Sequence, residues 1–150
     1  MTDQPLTQLP DELVSFLQGG RLVLLVTADA DGGPANVHAV SWVVARNHQE
    51  VLLAADNRSR LVRNLRADGR VVLVVPGAGG CWSIGGTALL EEEAMPDAPL
   101  RLARFRLAVE VVRDVMFFGS RLVAAPEFDV TYSAEAAARL DEQVYAALRR

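Results

Sequence analysis

Six strand-like runs, two of them long and the rest short, each followed by a turn rich in glycine, proline, asparagine or aspartate, restrict this chain to a mostly β architecture. They are Leu22–Val26, Ala35 to about Arg46, Val51–Ala55, Arg70–Val75, Cys81–Glu93 and Phe105–Val111. Short runs bounded by turn residues read as strands, because a helix needs a longer periodic stretch to bury one face. Asp31-Gly32 is the hairpin signal between the first two runs, and Asn47-His48 marks the next turn. The first three runs are expected to form a meander of antiparallel neighbours. Gly85-Gly86 interrupts the fifth run, which predicts a bend or a close approach of another backbone or a ligand. The sixth alternates, with Phe105, Leu107, Val109 and Val111 opposed to Arg106, Ala108 and Glu110. Several runs are apolar on both faces, so the strands are expected to close, or nearly close, into an antiparallel barrel with helices outside. A small barrel is filled by its own side chains, which puts a ligand at the rim or in a groove between two copies.

Three helices complete the pattern. One opens at Leu9-Pro10-Asp11-Glu12 and is stopped by Gly19-Gly20. A second runs from about Ser59 to Ala67 with Leu61, Val62 and Leu65 as its apolar stripe. A third, about 134–148, is capped by Ser133 and aligns Leu140, Val144 and Leu148 on one face. The apolar segment Val115–Gly119 has no assignable state, and Pro126–Tyr132 reads as irregular. With 150 residues, 51% of them hydrophobic, the chain holds one domain spanning 1–150.

Composition excludes several chemistries. The net charge is −4, which argues against general nucleic-acid binding. All 15 basic residues are arginine, so Schiff-base lysine chemistry and a standard phosphate-binding P-loop are ruled out. Cys81 is the only cysteine, which leaves no intrachain disulfide and no cysteine cluster for zinc. The start lacks the basic and apolar regions of a signal peptide, and no run approaches the roughly 20 apolar residues of a membrane span. The expected setting is the cytoplasm, with no membrane and no nucleic-acid partner. No catalytic triad or metal-ligand spacing is present, so no catalytic residue and no metal site is assigned.

The segment Asp56–Arg66 carries the strongest chemical signal. It places a capping serine and several arginines where a helix begins, directly after an apolar strand. A helix N-terminus presents unpaired N–H groups and a partial positive charge. Arginines are misplaced there unless an anion joins them, so Arg58, Ser59, Arg60 and Arg63 form a candidate phosphate seat. The competing reading is a solvated helix with Ser59 as an ordinary N-cap. His38 is a candidate ligand contact or proton donor, or a core polar group. Trp42 and Trp82 could pack on a ligand or in the core, and His48 belongs to a turn. Cys81 reads as an inert thiol and Glu91-Glu92-Glu93 as a solvated strand end.

Four local motifs, in order, give the chain its resemblance. They are Asp29–Pro34 leading into Val37–Trp42, Ser59–Leu65, Gly69–Val74 and Gly85-Gly86-Thr87-Ala88. In these the chain resembles the pyridoxamine 5′-phosphate oxidase-like family of flavin-binding split barrels, most strongly over 10–93. The resemblance implies a mainly β (α+β) fold, a six-stranded antiparallel split β-barrel with peripheral helices. It also implies a homodimer holding FMN at the subunit interface and oxidoreductase activity on a small molecule whose identity stays open. Carried over residue by residue, Arg58, Ser59 and Arg60 take the FMN phosphate, with Arg63 a further source of charge. His38, Val40, Ser41 and Trp42 line the second strand, and Ala54, Ala55 and Asp56 meet the flavin edge. Arg113, Asp114, Phe117 and Phe118 fall where a dimer groove could lie. Two positions depart from the family: Leu61 stands where many members have lysine, and the C-terminus lacks the arginine-rich substrate motif of the vitamin B6 oxidases. Related split barrels use the deazaflavin F420 or haem, and both remain open as cofactors. So does a flavin carrier or sensor without turnover.

Overall fold

The structure is a computed structural model and describes residues 4–150. Its elements are α1 (Asp11–Phe16), β1 (Val23–Thr27), β2 (Asn36–Val40), β3 (Val43–Ala45), β4 (Glu50–Asp56), α2 (Arg60–Ala67), β5 (Arg70–Gly77), β6 (Gly80–Glu92), β7 (Leu102–Asp114) and α3 (Ala134–Leu148). There are seven strands rather than six, because the long second run breaks at Ser41-Trp42 into β2 and β3.

That break closes the barrel. The strands lie in the order β2-β1-β5-β6-β7-β4-β3 and every pairing is antiparallel. The two ends of this order are successive pieces of one chain segment. The two residues between Val40 and Val43 make three Cα steps, at most about 11 Å, so the sheet must curl until its edges come together at Ser41-Trp42. The result is an antiparallel split barrel with few helices. Leu25, Val43, Val51, Leu53, Val71, Leu73, Ala88, Phe105 and Leu107 fill its interior.

β4 explains a run that shows no alternation. Val51, Leu53 and Ala55 face the barrel core, while Leu52 and Ala54 face a second cluster with Val144, Ala147 and Leu148 of α3. A strand buried on both faces must be apolar throughout. β7 departs from the expected clean alternation: Phe105 and Leu107 are buried, but the next buried position is Val112. The cause is a bulge, since Gly85 pairs Val111 while Gly86 pairs Val109. A Cβ on Gly86 would lie 2.0 Å from the Ala108 carbonyl oxygen. The glycine pair therefore admits a neighbouring backbone.

α2 crosses from β4 to β5, which are three places apart in the sheet. Ser59 Oγ accepts the Val62 N–H at 3.3 Å and starts the helix. Leu61, Val62, Asn64 and Leu65 face inward. Ser133 likewise caps α3, its Oγ accepting the Ala136 N–H at 3.3 Å. Pro10 occupies the N-cap of α1 rather than its first helical position. Glu91 to Glu93 are not a bare solvated end. Glu91 pairs with Arg104 at 3.2 Å and Arg106 at 3.1 Å, and Glu93 pairs with Arg66 at 3.0 Å. Residues 115–132 form neither helix nor strand, and Phe117, Phe118 and Val123 are largely exposed there.

Candidate functional site

The barrel closure creates an open groove of about 400 Å³. β2 and the strand break supply His38, Ala39, Val40, Ser41 and Trp42, and β4 supplies Ala54, Ala55 and Asp56. The start of α2 supplies Ser59, Arg60 and Leu61. Nine of the eleven residues predicted from sequence therefore meet in one groove: His38, Val40, Ser41, Trp42, Ala54, Ala55, Asp56, Ser59 and Arg60. Arg58 and Arg63 do not join them. They line a neighbouring trough with Ala30, Asn57, Arg66 and Ala67, and Ser59 borders both spaces.

The groove has a polar end and an apolar end. At the polar end the Arg60 and Leu61 N–H groups precede the reach of the intrahelical ladder. Arg60 Nη1 lies 3.3 Å from Asp29 Oδ1 and 3.8 Å from Asp31 Oδ2. Arg63 grips Asp31 with both terminal nitrogens, at 2.6 and 3.2 Å. The anions among these arginines are thus partly the protein's own carboxylates, carried by the β1–β2 turn. Arg60 spends one nitrogen on them, and its side chain stays about half exposed with four further N–H donors. Asp29 holds its place by accepting the Asp31 and Gly33 N–H groups. Leu61 is buried against the barrel core and brings no charge to the groove.

At the apolar end, Val40, Trp42, Ala54 and Ala55 form the walls. The Trp42 indole N–H donates to Asp141 of α3 at 2.8 Å. One turn later the Tyr145 hydroxyl donates to the Ser41 carbonyl at 2.7 Å and accepts the Gly20 N–H at 2.7 Å. Burial is the main cause that raises the Tyr145 pKa above the usual phenol value. α3 therefore pins both residues of the strand break that closes the barrel. Trp82, by contrast, packs on the barrel core and donates to the Ala78 carbonyl, away from the groove.

A buried polar chain stands behind His38. Asn64 is fully buried, and its Oδ1 accepts the Ala30 N–H at 2.9 Å. Its Nδ2 donates to Thr27 Oγ1 at 2.9 Å and to Asn36 Oδ1 at 2.7 Å. Thr27 Oγ1 in turn lies 2.9 Å from His38 Nε2. Burial first, and the Arg60 charge second, lower the His38 pKa below the ordinary imidazole value. His48 is a half-buried turn residue whose Nε2 meets Asp11 at 2.6 Å. Among the described residues no group of three or more His, Cys, Asp or Glu converges as a metal site. No helix among the described residues is long and apolar enough to cross a membrane.

Sequence reasoning missed Asp29, Asp31, Asn64, Asp141 and Tyr145. Asn64 left a readable signal, as a polar residue inside the apolar stripe of α2. The turn aspartates read only as hairpin chemistry. Nothing in the sequence ties Asp141 and Tyr145 to residues about a hundred positions earlier.

Comparison with known proteins places this geometry. Residues 9–112 match the family model described as pyridoxamine 5′-phosphate oxidase. No curated protein matches the sequence. Among solved structures, a Lactobacillus delbrueckii protein named after pyridoxamine 5′-phosphate oxidase superposes with a TM-score of 0.59 at 20% identity, over 72% of this chain and 99% of that one. An F420 reductase superposes with a TM-score of 0.57 at 14% identity, over 70% and 98%. The haem storage protein HutZ from Vibrio cholerae gives 0.53 at 18% identity, over 71% and 94%. At such identities these likenesses establish the shared fold. The match over more than two thirds of the sequence, on a barrel of this topology, shows that the chain belongs to the pyridoxamine 5′-phosphate oxidase family.

Proposed function

We propose that this chain is a cytoplasmic, homodimeric FMN-binding flavoprotein that acts as an oxidoreductase on a small molecule. The observation that carries the reading is one groove that joins Ser59 and Arg60 at a helix start to an apolar wall of Val40, Trp42, Ala54 and Ala55. Arg60 and the first N–H groups of α2 would hold the phosphate, and Val40, Trp42, Ala54 and Ala55 would flank the ring system. The bound flavin supplies the redox chemistry, while the chain positions it and sets its electrostatic surroundings.

Haem fits these residues poorly. The described histidines number two, and each has its Nε2 engaged by another side chain. The deazaflavin F420 remains the second reading. The trough beyond Ser59, lined by Arg58, Arg63 and Arg66, offers cations for an acidic tail longer than that of FMN. The homodimer reading draws on the exposed Phe117 and Phe118, which a second copy would cover.

The visible spectrum of the purified protein tests the cofactor: two flavin bands support FMN, a Soret band with its weaker longer-wavelength companions refutes it in favour of haem, and a single violet band without those companions favours deazaflavin. Arg60→Ala is expected to cost about 1.5–3 kcal/mol of FMN affinity, the range for a hydrogen bond to a charged group. Unchanged affinity in a fluorescence titration removes Arg60 from the phosphate seat.

A further inference from the structure

His38 sits at the end of a chain of hydrogen bonds whose directions can be assigned one by one. The Ala30 backbone N–H can only donate, so its partner on Asn64 is the amide oxygen, at 2.9 Å. That fixes the Asn64 amide. Its nitrogen then spends one proton on Asn36 Oδ1 and the other on Thr27 Oγ1. Thr27 is 1% exposed, so its hydroxyl proton must find a protein acceptor. The partner within reach is His38 Nε2, at 2.9 Å. A proton on Nε2 would leave the Thr27 hydroxyl accepting twice and donating to nothing, a costly arrangement in a buried site.

We infer that Asn64 and Thr27 lock His38 as the neutral Nδ1–H tautomer, making it a fixed hydrogen-bond donor to an acceptor atom of the groove's ligand. Nε2 is consumed inside the protein, and Nδ1 is the remaining polar atom of a ring that lines the groove. The class of ligand atom it selects is a carbonyl oxygen or an unprotonated ring nitrogen. Thr27 and Asn64 are positioning residues, because neither lines the groove. The same lock keeps Nε2 from coordinating iron, since one hydrogen-bonded nitrogen decides what the other can do. The charged groups around the ring act consistently. Arg60 of α2 disfavours an imidazolium, and its own partners are Asp29 and Asp31 of the turn. Asp56 of β4 shares the groove.

The role in ligand contact rests on the groove reading above, but the tautomer does not, so the two are tested apart. Ring-nitrogen NMR of the ¹⁵N-histidine-labelled full chain, recorded without added flavin across a pH titration, reads the tautomer directly. The expected result is a protonated Nδ1 and an unprotonated Nε2, retained in Thr27→Ser. Asn64→Asp replaces the donor amide by a carboxylate oxygen, so the Thr27 hydroxyl turns to donate to it. His38 then moves its proton to Nε2 and titrates at higher pH. A wild-type ring protonated on Nε2, or an Asn64→Asp variant with unchanged tautomer and titration, overturns the lock. FMN titrations then test the donor role. Thr27→Val, which frees the ring, is expected to weaken FMN binding about five- to tenfold relative to Thr27→Ser, the loss of one oriented hydrogen bond. Equal affinity in these two variants overturns the donor role and leaves the tautomer assignment standing.

Discussion

Tyr145→Phe isolates the contribution of α3 to the barrel closure. The substitution removes one oxygen and leaves the ring in place. The ring lies against Gly19, where an added Cβ would sit 2.9 Å from it, and the Arg149 guanidinium stacks 5.6 Å from its centroid. Two hydrogen bonds disappear, one to the Ser41 carbonyl and one from the Gly20 N–H, each 2.7 Å long. A net value near 1 kcal/mol each, reduced because Gly20 is exposed and water can replace the hydroxyl, gives a loss of about 1–2 kcal/mol. For a domain of this size that corresponds to a fall in Tm of about 2–8 °C. Urea unfolding followed by tryptophan fluorescence, at fixed protein concentration, reads the change as a lower midpoint with an unaltered slope. Trp42→Phe removes the neighbouring bond to Asp141. Because both bonds pin the same two-residue break, the double variant is expected to deviate from additivity by at least about 0.5 kcal/mol. The raised Tyr145 pKa adds a sign: its stabilisation is complete below the ordinary tyrosine value near 10 and is lost as pH rises through the higher folded value. That alkaline decline shrinks in Tyr145→Phe. A variant within about 0.3 kcal/mol of wild type, or a strictly additive cycle, refutes the view that α3 clamps the closure.

Other expectations follow from single contacts. Gly86→Ala drives a Cβ into the Ala108 carbonyl and is expected to cost about 3 kcal/mol or more, measurable as a loss of soluble folded protein or a sharply lower urea midpoint; a near-neutral variant would mean that the bulge relaxes freely. Asp68 is held down to about 2, first by its side-chain hydrogen bond with Arg70. Its contribution is present above the unfolded carboxyl value and is lost as pH falls through the folded one, so Arg70→Ala is expected to return the Asp68 titration toward 4 by NMR. Phe118 is 93% exposed in the single chain. If a second copy covers it, Phe117→Ser/Phe118→Ser shifts the protein toward monomer in analytical ultracentrifugation, whereas an unchanged mass places the dimer interface elsewhere.

The comparison of sequence with structure turns on the range of the interactions involved. Turn chemistry and capping are local. Asp31-Gly32 and the Ser59 and Ser133 caps were legible because each depends on residues a few positions apart, whereas Gly85-Gly86 announced a close approach without naming its partner, Ala108 on β7. The split-barrel family was legible for the same reason, through four short contiguous motifs, 29–42, 59–65, 69–74 and 85–88. Nine of the predicted groove residues lie on three short stretches, 38–42, 54–56 and 59–60, and local resemblance carried them together.

Tertiary structure alone decided the rest. The strand-like run from Ala35 to Arg46, broken only by Asn36, His38, Ser41 and Arg46, gives no sign that its halves form opposite edges of one sheet; only closure of the barrel breaks it at Ser41-Trp42. Charge pattern alone could not partition the arginines. Arg60 faces the groove, Arg63 forks onto Asp31, and Arg58 turns to the neighbouring trough. That sorting depends on where the β1–β2 turn lands beside α2. Asn64, Thr27 and His38 are separated by up to 37 residues in the chain, and their proton order exists only once burial denies the hydroxyl a water partner. Local sequence was enough for the strand-rich barrel class and for the serine-capped, arginine-bearing helix start after β4. Folding determined which donors remain free there, because hydrogen bonds between distant residues consume the others.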